Sequence, residues 1–310
     1  MPLIVAKLHR CAVVELLGPD VRRFANGMFT NNVRDLPVGA GNRHAACDPK
    51  GKLHGMHDLY AASDARLVLV VEGAGPPAAI AEDFERRFGK FVVLDDVEIL
   101  DRSGTAQVVT VQGEGAEAFL AARGWPIPGP IYVAKGPEGQ DVPGYAWVEA
   151  DGVAVARRDR GGGGFDVILP IDVAVGDPDD RAVEPLRVAR GEVRWPDDMP
   201  ARFLLHELGL RDVACSFEKG CYVGQEIVHR IDVMGQVKRR LVVVQAERGP
   251  WPGGDVELRI GDRVVGKLTS PVVSDAGALG LAVVRAPDDA VGTALEVVAA
   301  DGGGAGVVIR

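Results

Sequence analysis

The chain has few cysteines, no long apolar run and no excess of basic residues, and each absence excludes a class of protein. Four cysteines in 310 residues are too few for the disulfide framework of a small secreted scaffold. No apolar stretch approaches the roughly 20 residues that span a bilayer, and residues 1–10 lack the pattern of a signal peptide. We therefore expect a cytoplasmic protein with no membrane partner and with cysteines as free thiols.

The charge balance is acidic, with a formal net charge of −9 at pH 7. Proteins that coat nucleic-acid duplexes usually carry a basic face, and we therefore expect no direct binding to duplex nucleic acid. An apolar fraction of 47% and a charged fraction of 25% are ordinary for a globular chain. At roughly 100–200 residues per domain, this length predicts two or three domains with sizeable cores.

Apolar periodicity and turn residues predict mixed α and β structure. Helices are predicted at 21–28, 77–88, 113–123 and 183–191. Strands are predicted at 11–17, 43–47, 53–60, 66–71, 91–100, 107–111, 131–134, 145–149, 153–158 and 165–169. The short, evenly spaced strands that follow indicate a small β-barrel, and they are predicted at 237–245, 256–260, 263–269, 279–285, 295–299 and 306–309.

The octet KGCYVGQE, residues 219–226, concentrates chemically active side chains between two glycines. Glycines let the backbone approach a ligand closely, and cations such as Lys219 favour the thiolate of Cys221. The run 221–228 can open a helix, whose N-terminus would lower the thiol pKa further. Cys221 is therefore a candidate reactive or ligand-contacting residue, and the alternative is a small buried apolar side chain.

This octet is similar to the signature of the YgfZ family, folate-binding proteins related to the aminomethyltransferase (T-protein) of the glycine cleavage system. Further segments also resemble that family, at 18–33, 47–52, 186–191, 265–270 and 279–285. The resemblance therefore extends over nearly the whole chain, and the octet is its most specific part.

The resemblance implies an α+β, three-lobed, aminomethyltransferase-like folate-binding fold with a C-terminal β-barrel. An N-terminal α+β lobe of residues 1–104 would be completed by residues 175–236, which carry Cys221. A ferredoxin-like α+β lobe would comprise residues 105–174, and the barrel residues 237–310. The lobes would surround a central folate channel.

The resemblance also implies a function. It indicates an accessory protein that binds tetrahydrofolate and supports iron–sulfur cluster assembly or repair in client enzymes, including tRNA-modifying ones. Cys221 would act as the catalytic or otherwise functional thiol, and the residues expected to bind the folate are Lys219, Gly220, Tyr222, Gly224, Gln225, Glu226 and Arg187. The alternatives are a tetrahydrofolate-dependent aminomethyl or one-carbon transferase and a metal-binding protein.

Two departures from the relatives affect these expectations. The aspartate of the aminomethyltransferases falls near Gly55 or Met56, and neither residue can act as a base. We therefore do not expect a classical aminomethyltransferase. The relatives also place a glutamate that can bind the pterin where this chain has Ala189 and Arg190, so folate is expected to bind weakly or through other groups.

Three further constellations carry alternative hypotheses. The cluster His44, Cys47, His54, His57 and Asp58 contains plausible metal ligands. Residues three apart on one strand face opposite sides, however, and no metal site is expected there.

The glycines 161–164, with Arg157, Arg158 and Arg160, are typical of a hairpin tip, and the three arginines are candidate contacts for an anion. The basic run 238–240 is either a solvated strand entry or a carboxylate contact.

Overall fold

The computed structural model describes residues 1–135, 141–175, 180–199, 202–246, 251, 256–274, 277–299 and 304–310. Five α-helices are found within them, namely α1 (Val21–Met28), α2 (Pro77–Phe88), α3 (Ala116–Ala121), α4 (Glu184–Ala189) and α5 (Gln225–Met234). The longest of these helices, α2, has 12 residues. None of the five has the length and apolar character needed to cross a membrane.

The same residues form eighteen β-strands, which are β1 (Ile4–Lys7), β2 (Cys11–Leu17), β3 (Ala40–Cys47), β4 (Leu53–Ser63), β5 (Arg66–Glu72), β6 (Glu98–Asp101), β7 (Ala106–Gln112), β8 (Val133–Lys135), β9 (Asp141–Pro143), β10 (Tyr145–Ala150), β11 (Val153–Ala156), β12 (Gly164–Pro170), β13 (Arg239–Ala246), β14 (Val256–Ile260), β15 (Arg263–Ser274), β16 (Gly277–Arg285), β17 (Ala294–Ala299) and β18 (Gly304–Ile309). Short 3₁₀ helices lie at Gly89–Phe91, Asp180–Val183 and Leu205–Leu208. The mixed α and β composition follows the sequence prediction.

Ten strands form one sheet in the order β1-β7-β12-β11-β10-β3-β4-β5-β2-β6. Strands of the two predicted α+β lobes therefore belong to a single sheet, joined where β10 pairs with β3 at Tyr145 and Gly41. Strands β8 and β9 form a separate pair. The division of residues 1–236 into two lobes stays a prediction.

Strand β2 is a continuous apolar run because both faces of the sheet are covered. On one face, Val14 packs with helices α1 and α2 in a core that includes Phe29 and Phe84. On the other face, Val13 packs in a second core with Tyr60 and Trp147, whose rings are stacked with centroids 4.6 Å apart. The sheet thus separates two hydrophobic cores.

The C-terminal strands close into a barrel in the order β13-β16-β15-β14-β17-β18. The ring is completed by antiparallel pairing between β13 and β18. Alternate side chains such as Val244, Leu258 and Val297 fill the interior, as expected for a small barrel. The predicted barrel is therefore confirmed.

A third core attaches the segment of residues 193–228 to the ends of β3 and β4. Here Cys47 and Met56 pack with Leu205, Tyr222 and Val228. Barrel residue Val283 belongs to the same core. The loop that contains Cys221 is therefore held between the large sheet and the barrel.

Several predicted elements have other bounds. The predicted strand 91–100 is only Glu98–Asp101, and Val93 and Leu94 are 77% and 90% exposed. The predicted helix 113–123 begins at Ala116 because Gly113 and Gly115 have positive φ angles, which do not continue a right-handed helix. Strand β1 has little sequence signal and is formed by pairing with β7.

Candidate functional site

Cys221 lies in an irregular loop that precedes α5. All four cysteines lie within the described residues, and only Cys221 is exposed. Burial raises the thiol pKa of Cys11, Cys47 and Cys215, in the case of Cys215 to about 12. Since the thiolate is the nucleophilic form, Cys221 is the accessible candidate for thiol chemistry.

Lys219 is buried and anchors the Cys221 loop to the end of α1. Its Nζ donates hydrogen bonds to the carbonyl oxygens of Phe29 at 2.5 Å and Asn31 at 2.8 Å. Nζ also lies 4.9 Å from the centroid of the Tyr222 ring. Burial lowers the pKa of Lys219 to about 7. The Lys219 amine is thus hydrogen-bonded to backbone carbonyls. The sequence had predicted two other roles for it, as a cation that favours the Cys221 thiolate and as a folate contact.

Tyr222 and Gly224 hold the other side of the loop. The Tyr222 hydroxyl lies 3.4 Å from Cys215 Sγ in the third core. Gly224 has a φ of +87°, and a Cβ at this position would lie 2.5 Å from the carbonyl oxygen of Asp48. Glycine is therefore required here by backbone conformation and by the close approach of the 48–51 turn. Both residues position the loop in this structure.

Helix α5 begins at Gln225, after Gly224 as its N-cap residue. The interpretation of 221–228 as an opening helix was wrong by four residues, because Gly224 adopts a left-handed conformation. Cys221 consequently lies before the first turn. Gln225 Nε2 is 3.4 Å from His229 Nε2 on the next turn, whereas Glu226 is exposed and Gly220 borders open space.

The basic run at 238–240 forms ion pairs within the chain. Arg239 pairs with Glu207 at 3.1 Å, and Arg240 pairs with Asp289 at 3.0 Å. These two arginines therefore have carboxylate partners within the chain at the entry to β13, as the alternative of a carboxylate contact predicts, and contact with a folate carboxylate stays a prediction.

Arg187, predicted to bind folate, is buried in a polar network between α4 and the barrel. Its guanidinium donates to Asp198 Oδ2 at 2.7 Å and to Ser270 Oγ at 2.8 Å. It also forms an ion pair with Glu184 at 2.9 Å. The neighbouring Arg190 points elsewhere and pairs with Asp159 at 3.0 Å. The geometry gives Arg187 a structural role, and folate contact by it stays a prediction.

A cavity of about 370 Å³, which we call the α2 cavity, lies between the ends of β4 and β5, helix α2 and residues 195–196. Its wall is mainly apolar and aromatic and includes Met56, Val71, Ile80, Phe84, Phe88 and Trp195. None of the octet residues is part of this lining. Sequence reasoning missed the cavity because it arises from the distance between α2 and the sheet, for which the sequence contains no local signal.

Gly55 and Met56, near which the resemblance places the aspartate of the aminomethyltransferases, both line this cavity. A Cβ at Gly55 would lie 3.7 Å from Ala46 Cβ, an ordinary contact. A Cβ would therefore fit at Gly55, and neither Gly55 nor Met56 has a carboxylate. Glu72 and Asp83 also line the cavity, but Glu72 pairs with Arg43 at 2.7 Å and Asp83 pairs with Arg86 and Arg87.

His44 and His57 are cross-strand partners on β3 and β4. Their rings are parallel within 2°, with centroids 5.4 Å apart. Both are buried, and burial keeps them uncharged, since the pKa of His57 falls to about 3 and that of His44 falls well below its usual value. His57 also lines the α2 cavity, whereas His44 does not.

The cluster of candidate metal ligands between His44 and Asp58 is divided by the sheet. Asp58 is buried on the opposite face from His57 and accepts hydrogen bonds from Arg43, Arg158 and Tyr145 at 3.2, 3.2 and 3.0 Å. Cys47 lies in the third core. Over the described parts of the chain, no group of three His, Cys, Asp or Glu side chains could hold a metal ion.

The arginines beside the glycine run are also engaged internally. Arg157 pairs with Glu117 at 2.9 Å, and Arg160 pairs with Asp166 at 2.6 Å. Arg158 is buried and bonded to Asp58, as described above, and to Glu192. These pairs attach the segment between β11 and β12 to its neighbours. An anion contact by the three arginines stays a prediction.

The chain is similar in sequence to several known proteins over most of its length. The chain is 26% identical over 311 residues to the tRNA-modifying protein YgfZ of Klebsiella pneumoniae, covering 93% of this chain and 86% of that protein. It is 27% identical over 315 residues to YgfZ of Cronobacter sakazakii, covering 96% and 89%. An uncharacterized protein of Haemophilus influenzae is 25% identical over 287 residues. No family model matches the chain.

The fold is similar to a solved structure, the glycine cleavage system aminomethyltransferase T from Bartonella henselae. The TM-score is 0.82 at 16% sequence identity, covering 99% of this chain and 85% of the other. The predicted resemblance to YgfZ proteins and the predicted aminomethyltransferase-like fold are therefore both confirmed.

Proposed function

We propose that this chain, which is similar over most of its length to YgfZ tRNA-modifying proteins, is a folate-binding accessory protein that supports iron–sulfur clusters in client enzymes. Enzymes that modify tRNA are the proposed clients, and the cytoplasm is the proposed location. Cys221 is the proposed functional thiol, and tetrahydrofolate is the proposed ligand.

One observation carries the proposal: a single accessible thiol stands on a loop that its neighbours hold rigidly. Lys219 and Tyr222 are buried on either side of exposed Cys221. The loop is also held to the segment that follows α1 by a hydrogen bond from the Ser216 N–H to the Thr30 carbonyl at 3.0 Å. A thiol held out in this way is suited to contact a partner protein or a transferred group.

The α2 cavity fits the ring portion of a folate. A cavity of about 370 Å³ is within the roughly 300–1,000 Å³ that is usual for small-molecule sites. Its aromatic wall, with Phe84, Phe88 and Trp195, suits a flat heterocycle, and His57 and His54 are uncharged polar groups beside it. When bound, a reduced folate would supply a carrier for a one-carbon unit.

Phe29 does not line the cavity, but it contacts one residue of the cavity wall, His57, and one residue of the Cys221 loop, Lys219. The Phe29 carbonyl accepts a hydrogen bond from Lys219. The Phe29 ring packs edge-on against His57, with centroids 4.1 Å apart. Phe29 therefore lies between the cavity wall and the Cys221 loop.

We prefer this accessory role to that of an aminomethyl transferase. Such a transfer needs a carboxylate poised at the reacting amine. Neither Gly55 nor Met56 has a carboxylate, and the carboxylates of Glu72 and Asp83 are already paired with arginines. The metal-binding alternative has less support still, because Asp58 and Cys47 lie away from the two stacked histidines.

The function can be tested by complementation. A bacterial strain that lacks its own YgfZ protein would be supplied with this chain or with Cys221→Ala, and thiolated tRNA nucleosides would be measured by mass spectrometry. We expect the wild-type chain to restore the modification and Cys221→Ala to lose most of it. Cys11→Ala, which removes a buried thiol, is the matched control and should retain activity.

Purified protein provides the second arm, by calorimetric titration with tetrahydrofolate. Saturable binding by the wild-type chain is expected, with retention by Cys221→Ala because the thiol does not line the cavity. Full complementation by Cys221→Ala, together with an absence of folate binding, would refute the proposal.

A further inference from the structure

We propose that His57, backed by His44, is the polar residue that orients the ligand in the α2 cavity, and that it does so as an uncharged hydrogen-bonding group. This inference rests on the proposed folate-binding function and assigns it a residue. Neither histidine was expected to bind folate from the sequence.

The first step in the argument is that two buried ring nitrogens have no partner. His57 Nε2 and His44 Nδ1 are buried and make no hydrogen bond. The two side chains are 1% and 0% exposed. A buried polar group without a partner is destabilising, and each such group in a native structure calls for an explanation.

The second step concerns the tautomer of His44. Asn42 Nδ2 donates to the Asn32 carbonyl at 3.0 Å, which turns Asn42 Oδ1 toward His44 Nε2 at 2.5 Å. His44 Nε2 therefore carries the proton, and its Nδ1 is an acceptor. The His44 ring is thus held by Asn42, and it fixes the parallel ring of His57 from behind.

The third step is the position of His57. It is part of the cavity wall and is packed edge-on between the rings of Phe29 and Phe84, with centroid separations of 4.1 and 6.2 Å. These contacts leave the imidazole little freedom to turn. A preorganised polar group in an apolar cavity is the usual means by which a site fixes the orientation of a ligand.

The fourth step is the chemistry of the other polar groups. Glu72 accepts hydrogen bonds from the Arg43 guanidinium and from the backbone N–H of Trp195 at 3.0 Å. Asp83 is paired with Arg86 and Arg87. His54 is half-buried and packs near the Phe88 ring, with centroids 5.8 Å apart. An uncharged imidazole such as His57 pairs with a ring N–H or a ring carbonyl. The class of ligand fragment recognised is therefore a neutral, flat heterocycle with a hydrogen-bonding edge.

The test uses the full chain and its His57→Leu variant. In the absence of ligand, we expect the Tm of His57→Leu to rise by about 2 °C or more, since an unsatisfied buried nitrogen is replaced by an apolar group. Titration with tetrahydrofolate is expected to give a Kd about tenfold weaker than that of the wild type, the usual value of one lost hydrogen bond. A histidine with only a structural role would show the opposite shift in Tm.

His206→Leu is the matched control. The His206 side chain is 9% exposed and is not among the residues that line the α2 cavity. We expect this variant to bind tetrahydrofolate with unchanged Kd. Equal weakening in both variants would overturn the assignment to His57.

A spectroscopic readout covers the case in which His57→Leu folds poorly. The chain has six histidines, and ¹⁵N-labelled histidine would give few enough ring signals to assign His57 by substitution with Gln. Addition of tetrahydrofolate should shift the His57 ring nitrogen. If the wild type binds tetrahydrofolate but this signal does not move, the inference about His57 fails and the proposed function stands. If the wild type does not bind, the folate function fails and the inference fails with it.

Discussion

Lys219 shows how much the surroundings change a residue of the octet. The side chain is only 7% exposed, and its amine faces two backbone carbonyls. No carboxylate is among the groups that shift its pKa: Cys215 raises it and Arg34 lowers it, while burial has the largest effect. The residue therefore titrates close to neutral pH, where an exposed lysine remains charged.

This burial predicts a pH-dependent stability. The folded pKa of about 7 lies below the ordinary value of 10.5, so between these limits the unfolded chain binds a proton that the folded chain does not. The free energy of unfolding of the wild type, relative to Lys219→Met, should then rise by about 1.4 kcal/mol per pH unit from pH 7 toward pH 10. Below pH 7 the difference should be constant.

Urea denaturation at several pH values measures this slope. Lys50→Met is the control, because Lys50 is exposed and its removal should leave the slope of the wild type in place. A difference between wild type and Lys219→Met that does not change with pH would contradict the buried, neutral amine.

At the scale of elements, the junction between the Cys221 loop and α5 depends on glycine at one position and not at the other. Gly224 has a positive φ and approaches Asp48 and Cys47 closely, whereas Gly220 borders open space. The helix can begin at Gln225 because Gly224 reverses the chain there. The backbone conformation and packing therefore require glycine at position 224 but not at position 220.

We predict that Gly224→Ala destabilises the protein by about 2–4 kcal/mol, since it combines a strained φ with an overlap against the Asp48 carbonyl. Gly220→Ala should change stability by less than about 0.5 kcal/mol. Urea denaturation gives both values, and the rate at which a thiol reagent modifies Cys221 reports on the loop. Equal stability of the two variants would be inconsistent with this packing.

At the scale of the whole molecule, buried polar networks join the parts of the fold. Arg43, Asp58 and Arg158 bridge β3, β4 and the segment after β11 between the halves of the large sheet. Arg187 and Asp198 connect α4 with strand β15 of the barrel through Ser270. Such networks constrain how layers meet, because each buried charge needs its partner.

Arg187→Met is predicted to destabilise the protein by about 3–5 kcal/mol, because it leaves the fully buried Asp198 without its cation. Arg190→Met is the control, since Arg190 is half-exposed and its ion pair should contribute about 0–1 kcal/mol. Urea denaturation followed by tryptophan fluorescence would separate the two. A loss of tetrahydrofolate affinity in Arg187→Met at unchanged stability would instead favour direct folate contact.

The sequence alone was sufficient to predict most helices and strands and the resemblance to YgfZ proteins. Short, evenly spaced apolar strands predicted the barrel, and the octet identified the region of Cys221. Local pattern carries this information because it records which side of a strand or helix is apolar. The same logic could not locate the start of α5, because the left-handed conformation of Gly224 depends on the 48–51 turn that packs against it.

The tertiary structure alone decided the chemistry of the side chains. The register of β3 and β4 brings His44 beside His57 and sends Asp58 to the other face. The position of α2 leaves the cavity, and the end of α1 supplies the carbonyls that engage Lys219. These properties depend on residues far apart in the chain, and burial and pairing, which set each pKa, exist only after those elements have packed together.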